Sequence, residues 1–445
     1  MKRIFLYLII LYISVLTACS DNDSFTTSRS NLLTFSVDTV KMDTVFSTVA
    51  SSTYTFWVYN YSGDGIRLNT VRLQNGNQTG FRVNVDGSYL DNMLGSVVTD
   101  LEVRKGDSIR VFVELMAAET RQTDPQLIED DLVFSLESGA EQKVHLRSYA
   151  WDAVQVKDLV ITKDTLIESD KPIVIYGDGI KVDSGAVLTL RNTTLYFHDG
   201  AGMAVRGTLK TENVVMRGDR LDHMFDYLPY DRVSGQWRGI VFEKPSVDNV
   251  LTDTEIRNAM TAVRLDSAAL DSAVQRLTMT RCVVHNAKGG GVVSINSNIG
   301  LYYCQLTNTY GDCLAIYGGK ADIDHCTLGQ FYPFAADRGF ALVFSDEYDL
   351  KLECKNSIVT GYADDEVMLY HNDGDPSTTL EYYFSDCLLR TPAVEDDTLS
   401  FKRIQWETPK DSIQGKQHFV KIDETNLYYD FHLDSLSTAI GKGCY

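Results

Sequence analysis

The sequence predicts an all-β protein in two parts, an N-terminal β-sandwich followed by a right-handed parallel β-helix. Two observations lead to this fold class. Short runs that alternate apolar and polar residues fill the chain up to about residue 150, and this period of two is typical of strands. Beyond them a four-residue segment recurs about every 22 residues, and no repeat carries the 3.6-residue apolar stripe of a helical solenoid.

Length and charge limit the number of domains and the kinds of partner that we expect. The 445 residues are enough for two domains. Lys and Arg number 41 against 61 Asp and Glu, which gives a net charge of −20. A surface this acidic repels phosphate backbones, so we expect no nucleic-acid partner.

The first residues resemble the signal peptide of bacterial lipoproteins. Two basic residues precede the apolar stretch 4–16, which is too short to span a bilayer as a helix. The segment Leu16-Thr17-Ala18-Cys19 is similar to the lipobox, in which a peptidase cuts before a cysteine whose thiol carries diacylglycerol. The resemblance implies that residues 1–18 are removed and that lipid on Cys19 holds the protein to a membrane. A cleaved secretory signal with an incidental cysteine is the alternative.

Residues 19–30 are expected to form a polar tether. The acidic run Ser20-Asp21-Asn22-Asp23 follows the cysteine directly. This run resembles the tag that, in some Gram-negative lineages, directs lipoproteins to the outer face of the outer membrane. We therefore expect a lipid-anchored protein exposed at the surface of the outer membrane. Attachment to the inner leaflet, facing the periplasm, is the alternative.

Residues 31–150 have the pattern of a β-sandwich. Phe56 and Val58 alternate with polar neighbours, and Ile109 to Leu115 repeats the pattern. Apolar alternation on both sides of Ser138-Gly139 predicts a hairpin. The stretch 60–66 resembles immunoglobulin-like modules of bacterial surface proteins, a resemblance that supplies no active site. A spacer or docking role for this domain is expected.

Eight four-residue segments define the repeat of residues 151–445. Their second and fourth residues are small or apolar, so we expect both to point inward from one strand face. A 19-residue insertion, 218–236, accounts for the one long interval, and a second ladder consists of Asn258, Asn286, Asn308 and Gln330. Stacked coils about 4.8 Å apart, roughly eleven of them, fit this pattern. The segments begin at Asn192, Asn213, Asp253, Arg281, Tyr303, His325, Asn356 and Asp386.

Residues 151–445 also resemble the pectin-lyase-like right-handed β-helix proteins, especially uncharacterised lipoproteins with an N-terminal β-domain. The resemblance rests on the segments 182–190, 205–209 and 235–240, and it implies that Asp430 to Gly443 forms the last coil. Calcium-dependent lyases of this kind need acidic residues stacked outward on neighbouring coils. The outward third positions of the repeat hold one carboxylate, Glu255, so we expect no calcium cluster and no cofactor.

The cysteines point to core packing. Besides Cys19 there are seven, and four of them share the same inward slot: Cys282, Cys304, Cys326 and Cys387. A free cysteine packs as a small apolar residue, so we expect buried thiols. Disulfides between neighbours such as Cys304 and Cys326 are the alternative in an exported protein. No Cys-x-x-Cys or His-Glu-x-x-His segment occurs, so no zinc site is expected.

Two places concentrate polar side chains that suit ligand contact. One is the column formed by Arg281, Tyr303 and His325 on three consecutive coils, for which a solvated face is the simpler interpretation. The other is the insertion, where a loop held by Asp–Arg pairs near Trp237 is the structural alternative. The candidates in the insertion are Asp219, Arg220, Asp222, Tyr230 and Asp231.

The sequence assigns no catalytic residue. We expect a non-enzymatic surface module of the binding or adhesion type, with glycan or protein partners. The alternative is a polysaccharide lyase or glycoside hydrolase with a groove along the β-helix. That alternative requires paired carboxylates in an open groove, about 6 Å apart.

Overall fold

The computed structural model describes residues 24–268, 274–372, 377–394 and 399–444. The predicted signal peptide, the lipobox-like segment with Cys19 and the acidic run lie outside the described residues. No helix within the described ranges is long and apolar enough to cross a membrane. The chain divides into two compact units, Met1–Asp152 and Ala153–Tyr445, and the predicted all-β fold class is confirmed.

The first unit is a pair of β-sheets around one apolar core. One sheet has the order β1-β4-β9-β6-β7 and the other β2-β11-β10-β5-β8, with β3 beside β11. A 3-10 turn covers Asn92–Leu94. The strands are β1 (Thr34–Phe35), β2 (Thr39–Lys41), β3 (Val45–Phe46), β4 (Tyr54–Tyr59), β5 (Ile66–Leu73), β6 (Phe81–Val85), β7 (Ser88–Tyr89), β8 (Val97–Val103), β9 (Ser108–Leu115), β10 (Gln126–Leu136) and β11 (Glu141–Trp151).

The sandwich forms where the alternation predicts it. Phe56 and Val58 of β4 are buried, whereas Trp57 between them is exposed. Strands β10 and β11 pair antiparallel along their length, and Gly139 at their turn has φ +77°, a conformation that favours glycine. The inward residues of both sheets share one core, so apolar burial holds the unit together.

The second unit is a parallel β-helix. Its strands are β12 (Val154–Ile161), β13 (Thr165–Glu168), β14 (Ile173–Val182), β15 (Val187–Phe197), β16 (Gly202–Val205), β17 (Thr208–Gly218), β18 (His223–Phe225), β19 (Leu228–Pro229), β20 (Ile240–Phe242), β21 (Asn249–Arg257), β22 (Val263–Leu265), β23 (Leu277–Thr280), β24 (Val283–His285), β25 (Val292–Tyr302), β26 (Gln305–Thr307), β27 (Leu314–Asp324), β28 (Thr327–Gln330), β29 (Leu342–Lys355), β30 (Ile358–Gly361), β31 (Val367–Tyr370), β32 (Leu380–Ser385), β33 (Leu388–Leu389), β34 (Phe401–Lys402), β35 (Gln405–Trp406), β36 (Phe419–Asp423) and β37 (Tyr428–Leu433).

Each coil contributes to three faces. The first face contains β24, β26, β28 and β30, the second contains β16, β20 and β22, and the third contains β13, β23 and β32. Longer strands such as β25 and β27 pass around a corner from the second face to the third. Apart from β18–β19 and β36–β37, the strands of this unit pair in parallel, each with the strand one coil away.

The inward slot of the repeat is occupied as the pattern predicts. All eight second positions are at most 6% exposed: Thr193, Val214, Thr254, Cys282, Cys304, Cys326, Ser357 and Cys387. The fourth positions, from Leu195 to Leu389, are buried beside them in one continuous core. Parallel pairing places like positions over one another, so the column fills the interior of the helix.

The first position of each segment is a sharp corner between the third and first faces. All eight residues there have positive φ, from 45° at Asn192 to 56° at Tyr303 and Asp386. Asn and Asp tolerate this left-handed conformation best, which explains their share of the column. In the second ladder Asn258, Asn286 and Asn308 are left-handed as well, whereas Gln330 ends strand β28.

The prediction that Asp430 to Gly443 forms the last coil is wrong. Strand β37 pairs antiparallel with β36, and this hairpin packs against the outer side of the first face. Phe431 lies in a cluster with Ile358 and Leu388, which are third-position residues. These residues and their counterparts Gln305 and Thr327 are buried instead of facing solvent. The apolar outer column requires a cover, and the hairpin supplies it.

The cysteines of the described residues are free thiols. Six are buried and Cys444 is partly exposed. Cys354 and Cys387 approach to 3.9 Å between sulfur atoms, and Cys444 donates to Thr327 Oγ1 at 3.3 Å. Burial raises the pKa of the Cys313 thiol to about 12, so this cysteine stays protonated and unreactive.

Candidate functional site

Asp231 of the insertion is an anchor between two coils. Its Oδ1 lies 2.9 Å from Arg217 Nη1 and 3.3 Å from Arg257 Nη2. Arg217 is buried, and this burial lowers its pKa. A buried guanidinium needs a carboxylate partner, so Asp231 fixes the insertion against the first face.

Three other insertion residues contact one another. Arg220 Nε donates to Asp222 Oδ1 at 2.7 Å, and the Arg220 guanidinium lies 3.9 Å above the Tyr230 ring. The hydrogen bond with Asp222 raises the pKa of Arg220. This triplet is therefore internally paired and gives the loop a defined shape.

Asp219 belongs to a separate column on three consecutive coils. Its Oδ2 lies 2.6 Å from His198 Nδ1, and the His198 ring lies 5.1 Å from the Tyr176 ring. Partial burial, followed by the charge of Asp219, raises the pKa of Tyr176. Because Asp219 engages Nδ1 of a half-exposed imidazole, Nε2 is left for contact with a ligand.

Sequence reasoning missed Tyr176 and His198. The signal was present, because the intervals 198 − 176 = 22 and 219 − 198 = 21 match the repeat. The signal was overlooked because Tyr176, His198 and Asp219 lie at a different corner of the coil from the segments that define the repeat. Trp237, which directly follows the insertion in the chain, stacks on Phe197 with ring centroids 4.2 Å apart.

The corner column contains tightly paired side chains. Arg281 donates to both oxygens of Asp253, at 2.6 and 2.7 Å, and this contact lowers the pKa of Asp253. One coil further, the Tyr303 ring stacks on His325 with centroids 4.9 Å apart and planes 18° apart. His325 Nδ1 also lies 2.8 Å from Asp324 Oδ1. The three predicted residues thus occupy one corner column, called the strip below, in which Arg281 and Tyr303 are exposed and His325 is partly exposed.

The third face continues this strip with carboxylates on adjacent coils. Asp322 and Glu353 are register partners and point outward. Lysines neighbour them: Lys320 Nζ is 3.3 Å from Asp322, and Lys355 Nζ is 2.9 Å from Glu353. The hydrogen bond from Lys355 lowers the pKa of Glu353. Glu353 is therefore ionised at neutral pH, so it accepts hydrogen bonds and is a poor proton donor.

A buried polar cluster attaches the C-terminal segment. Glu407 accepts hydrogen bonds from Thr360 Oγ1 at 2.8 Å and from the Gly415 backbone at 2.6 Å, and it forms an ion pair with buried Arg390. His418 Nε2 is 3.4 Å from Glu407 Oε2, the oxygen that also accepts from Thr360. Because every member is used internally, this cluster is structural. In the described ranges no group of three His, Cys, Asp or Glu side chains is placed to hold a metal ion.

One comparison with known proteins supports the β-helix. A family model for the right handed beta helix region matches residues 152–330, and no curated protein matches the chain. Among similar solved structures, the catalytic unit of a GH87 α-1,3-glucanase from Streptomyces thermodiastaticus is 10% identical, covering 79% of this chain and 89% of that one with a TM-score of 0.26.

Two further structures match only part of the chain. A family 123 glycoside hydrolase from Clostridium perfringens is 6% identical, with a TM-score of 0.19, over 28% of this chain and 26% of its own. The major pilin subunit of Bacillus cereus is 12% identical, with a TM-score of 0.17, over 31% of this chain and 44% of its own. Similarity at this level identifies no activity.

Proposed function

We propose that this β-helix protein is lipid-anchored in the cell envelope and binds glycans through the strip from Arg281 to His325. The lipobox-like segment ending at Cys19 supports the anchor, and the acidic run after it supports display on the outer membrane. A periplasm-facing position is the alternative location.

The observation that carries the binding role is the stacked Tyr303–His325 pair, which lies beside the carboxylate of Asp324. Aromatic ring faces suit the C–H faces of sugars, and ionised carboxylates accept hydrogen bonds from sugar hydroxyls. Arg281 is held by Asp253, so the strip is ordered before a ligand arrives. Preorganisation of this kind favours binding because little side-chain entropy is lost.

A glycan array with the soluble chain from Ser20 onward tests this role. We expect retention of at least one glycan class, weakened about tenfold or more by the double change Arg281→Ala and Tyr303→Ala. Arg206→Ala is the matched control, because Arg206 forms an exposed pair with Glu243 away from the strip. Retention of no glycan, or retention that the double change leaves unaltered, would contradict the proposal.

Glycan cleavage is a second candidate, which the His198–Asp219 contact favours. A carboxylate that orients an imidazole is a common arrangement for a general base. Incubation with polysaccharides, followed by mass analysis of products, tests it. Products made by the parent protein but lost with His198→Ala would support cleavage, whereas glycan retention without products would exclude it.

A further inference from the structure

Tyr302 lies on the third face in an unusual position. Gly300 is two residues earlier on the same strand and points outward as well. A Cβ atom added at Gly300 would lie 2.8 to 3.1 Å from three atoms of the Tyr302 side chain. The tyrosine ring therefore lies across the glycine, in the space that a side chain would fill. In this position the Tyr302 side chain is partly exposed.

The two coils that precede Tyr302 carry short side chains at the corresponding positions of the third face. Thr278 and Thr280 are the register partners of Gly300 and Tyr302, and Val250 and Thr252 continue the two columns on the coil before. None of these side chains reaches as far as a lysine or an arginine. The ring consequently stands at the end of a flat shelf two residues wide and three coils long.

Charged groups border both ends of the shelf. Lys210 and Glu212 are the register partners of Val250 and Thr252 at the far end, and two aspartates adjoin the end that carries the ring. Asp322 and Asp324 are the register partners of Gly300 and Tyr302 on the next coil. Lys320 is 3.3 Å from Asp322, so acidic and basic groups alternate there. Tyr303 follows Tyr302 directly in the chain and lies at the corner next to the third face, where its ring stacks on His325.

We propose that this shelf is the primary subsite of the glycan-binding strip and that it takes an uncharged sugar ring stacked on Tyr302. The inference rests on the proposed glycan-binding function and names the substrate class. A sugar ring is flat on its C–H face, and its edge hydroxyls reach the carboxylates of Asp322 and Asp324. Acidic glycans are disfavoured, because these carboxylates and the net charge of −20 repel uronates.

The test uses isothermal titration calorimetry of the soluble chain from Ser20 onward with cellohexaose, laminarihexaose, maltohexaose and mannohexaose, and with polygalacturonate as the acidic comparison. Tyr302→Ala removes the ring, and Tyr302→Phe keeps it. Gly300→Ala keeps the tyrosine but lifts the ring off the sheet, at a position whose φ an alanine accepts. Tyr383→Ala is the matched control, an exposed tyrosine further along the same face.

We expect one of the neutral oligosaccharides to bind, with affinity lowered about tenfold by Tyr302→Ala and about threefold or more by Gly300→Ala. Tyr302→Phe and Tyr383→Ala should change it less than about twofold. Neutral-glycan binding that Tyr302→Ala leaves unchanged would overturn this subsite while the proposed function stands. Binding of polygalacturonate alone would overturn the neutral-sugar assignment, and no binding to any sugar would overturn both proposals.

Discussion

At the residue scale, Glu366 is an ionisable group whose environment differs strongly from water. It is fully buried, and its two carboxyl oxygens accept the backbone N–H groups of Ala363 at 2.8 Å and Ala341 at 3.1 Å. These hydrogen bonds favour the charged form, but burial outweighs them and raises the pKa of Glu366 to about 7. The folded protein therefore retains a proton here that the unfolded chain has released.

This difference predicts that the contribution of Glu366 to stability falls as pH rises. Between about pH 4.5 and 7 the folded state binds more protons than the unfolded state, so unfolding becomes easier across that window, by roughly 3 kcal/mol in total. Urea unfolding of the parent and of Glu366→Gln at pH 5, 6, 7 and 8 measures it. The glutamine variant should lose this slope. Parallel pH profiles would show that Glu366 does not titrate in this range.

At the element scale, the insertion and the C-terminal hairpin both lie on the outer side of the first face. The insertion length was predictable, because one repeat interval exceeds the others by 19 residues. The hairpin was not predictable, because its alternating residues fit a parallel strand of the β-helix as well as a strand of an antiparallel hairpin. The feature that determines where the hairpin packs is the apolar outer column at Ile358 and Leu388. In the sequence these two residues look like any other apolar residues of the repeat, so they do not reveal that a hairpin covers them.

For the insertion we expect Asp231→Ala to destabilise the second unit by about 3 kcal/mol, since it leaves buried Arg217 without its carboxylate. Asp226→Ala is the control, an exposed aspartate of the same loop, with an expected change below about 0.5 kcal/mol. Chemical denaturation gives both values, and hydrogen exchange shows whether residues 218–236 lose protection. Equal effects of the two variants would contradict the anchoring role.

For the hairpin we expect Phe431→Ala to cost about 3 to 5 kcal/mol, because it removes a ring packed on Phe331 and Phe419. The exchange of backbone amides in β30 and β33 should rise at the same time. Tyr428→Ala on the same strand removes an exposed ring and should cost less than about 1 kcal/mol. Unchanged exchange in β30 and β33 would mean that the hairpin does not cover the first face.

At the scale of the whole molecule, the period of the sequence determined what was predictable. Inward positions follow from a repeat of about 22 residues, since each coil must bury the same side of its strands. The His198–Asp219 contact has the interval of the repeat, but it lies at a different corner from the segments that define the repeat. The placement of the Tyr302 ring across Gly300 was not predictable, because it depends on a side-chain conformation and not on the repeat. Asp253 and Arg281 hold the same repeat position on adjacent coils, so their proximity follows from the sequence, whereas the hydrogen bonds of Arg281 to both Asp253 oxygens are seen only in the structure.

The most direct test of the stacked-coil account is a set of distances between spin labels, measured by pulsed electron paramagnetic resonance. Labels are placed on cysteines introduced pairwise at Asn192, Tyr303 and Arg403, with Cys444 replaced by serine and the buried cysteines kept. Four coils separate each neighbouring pair, so the account predicts about 19 Å for both short distances and about 38 Å for the long one. Distances that fail to add in this way, or a long distance below about 25 Å, would contradict it.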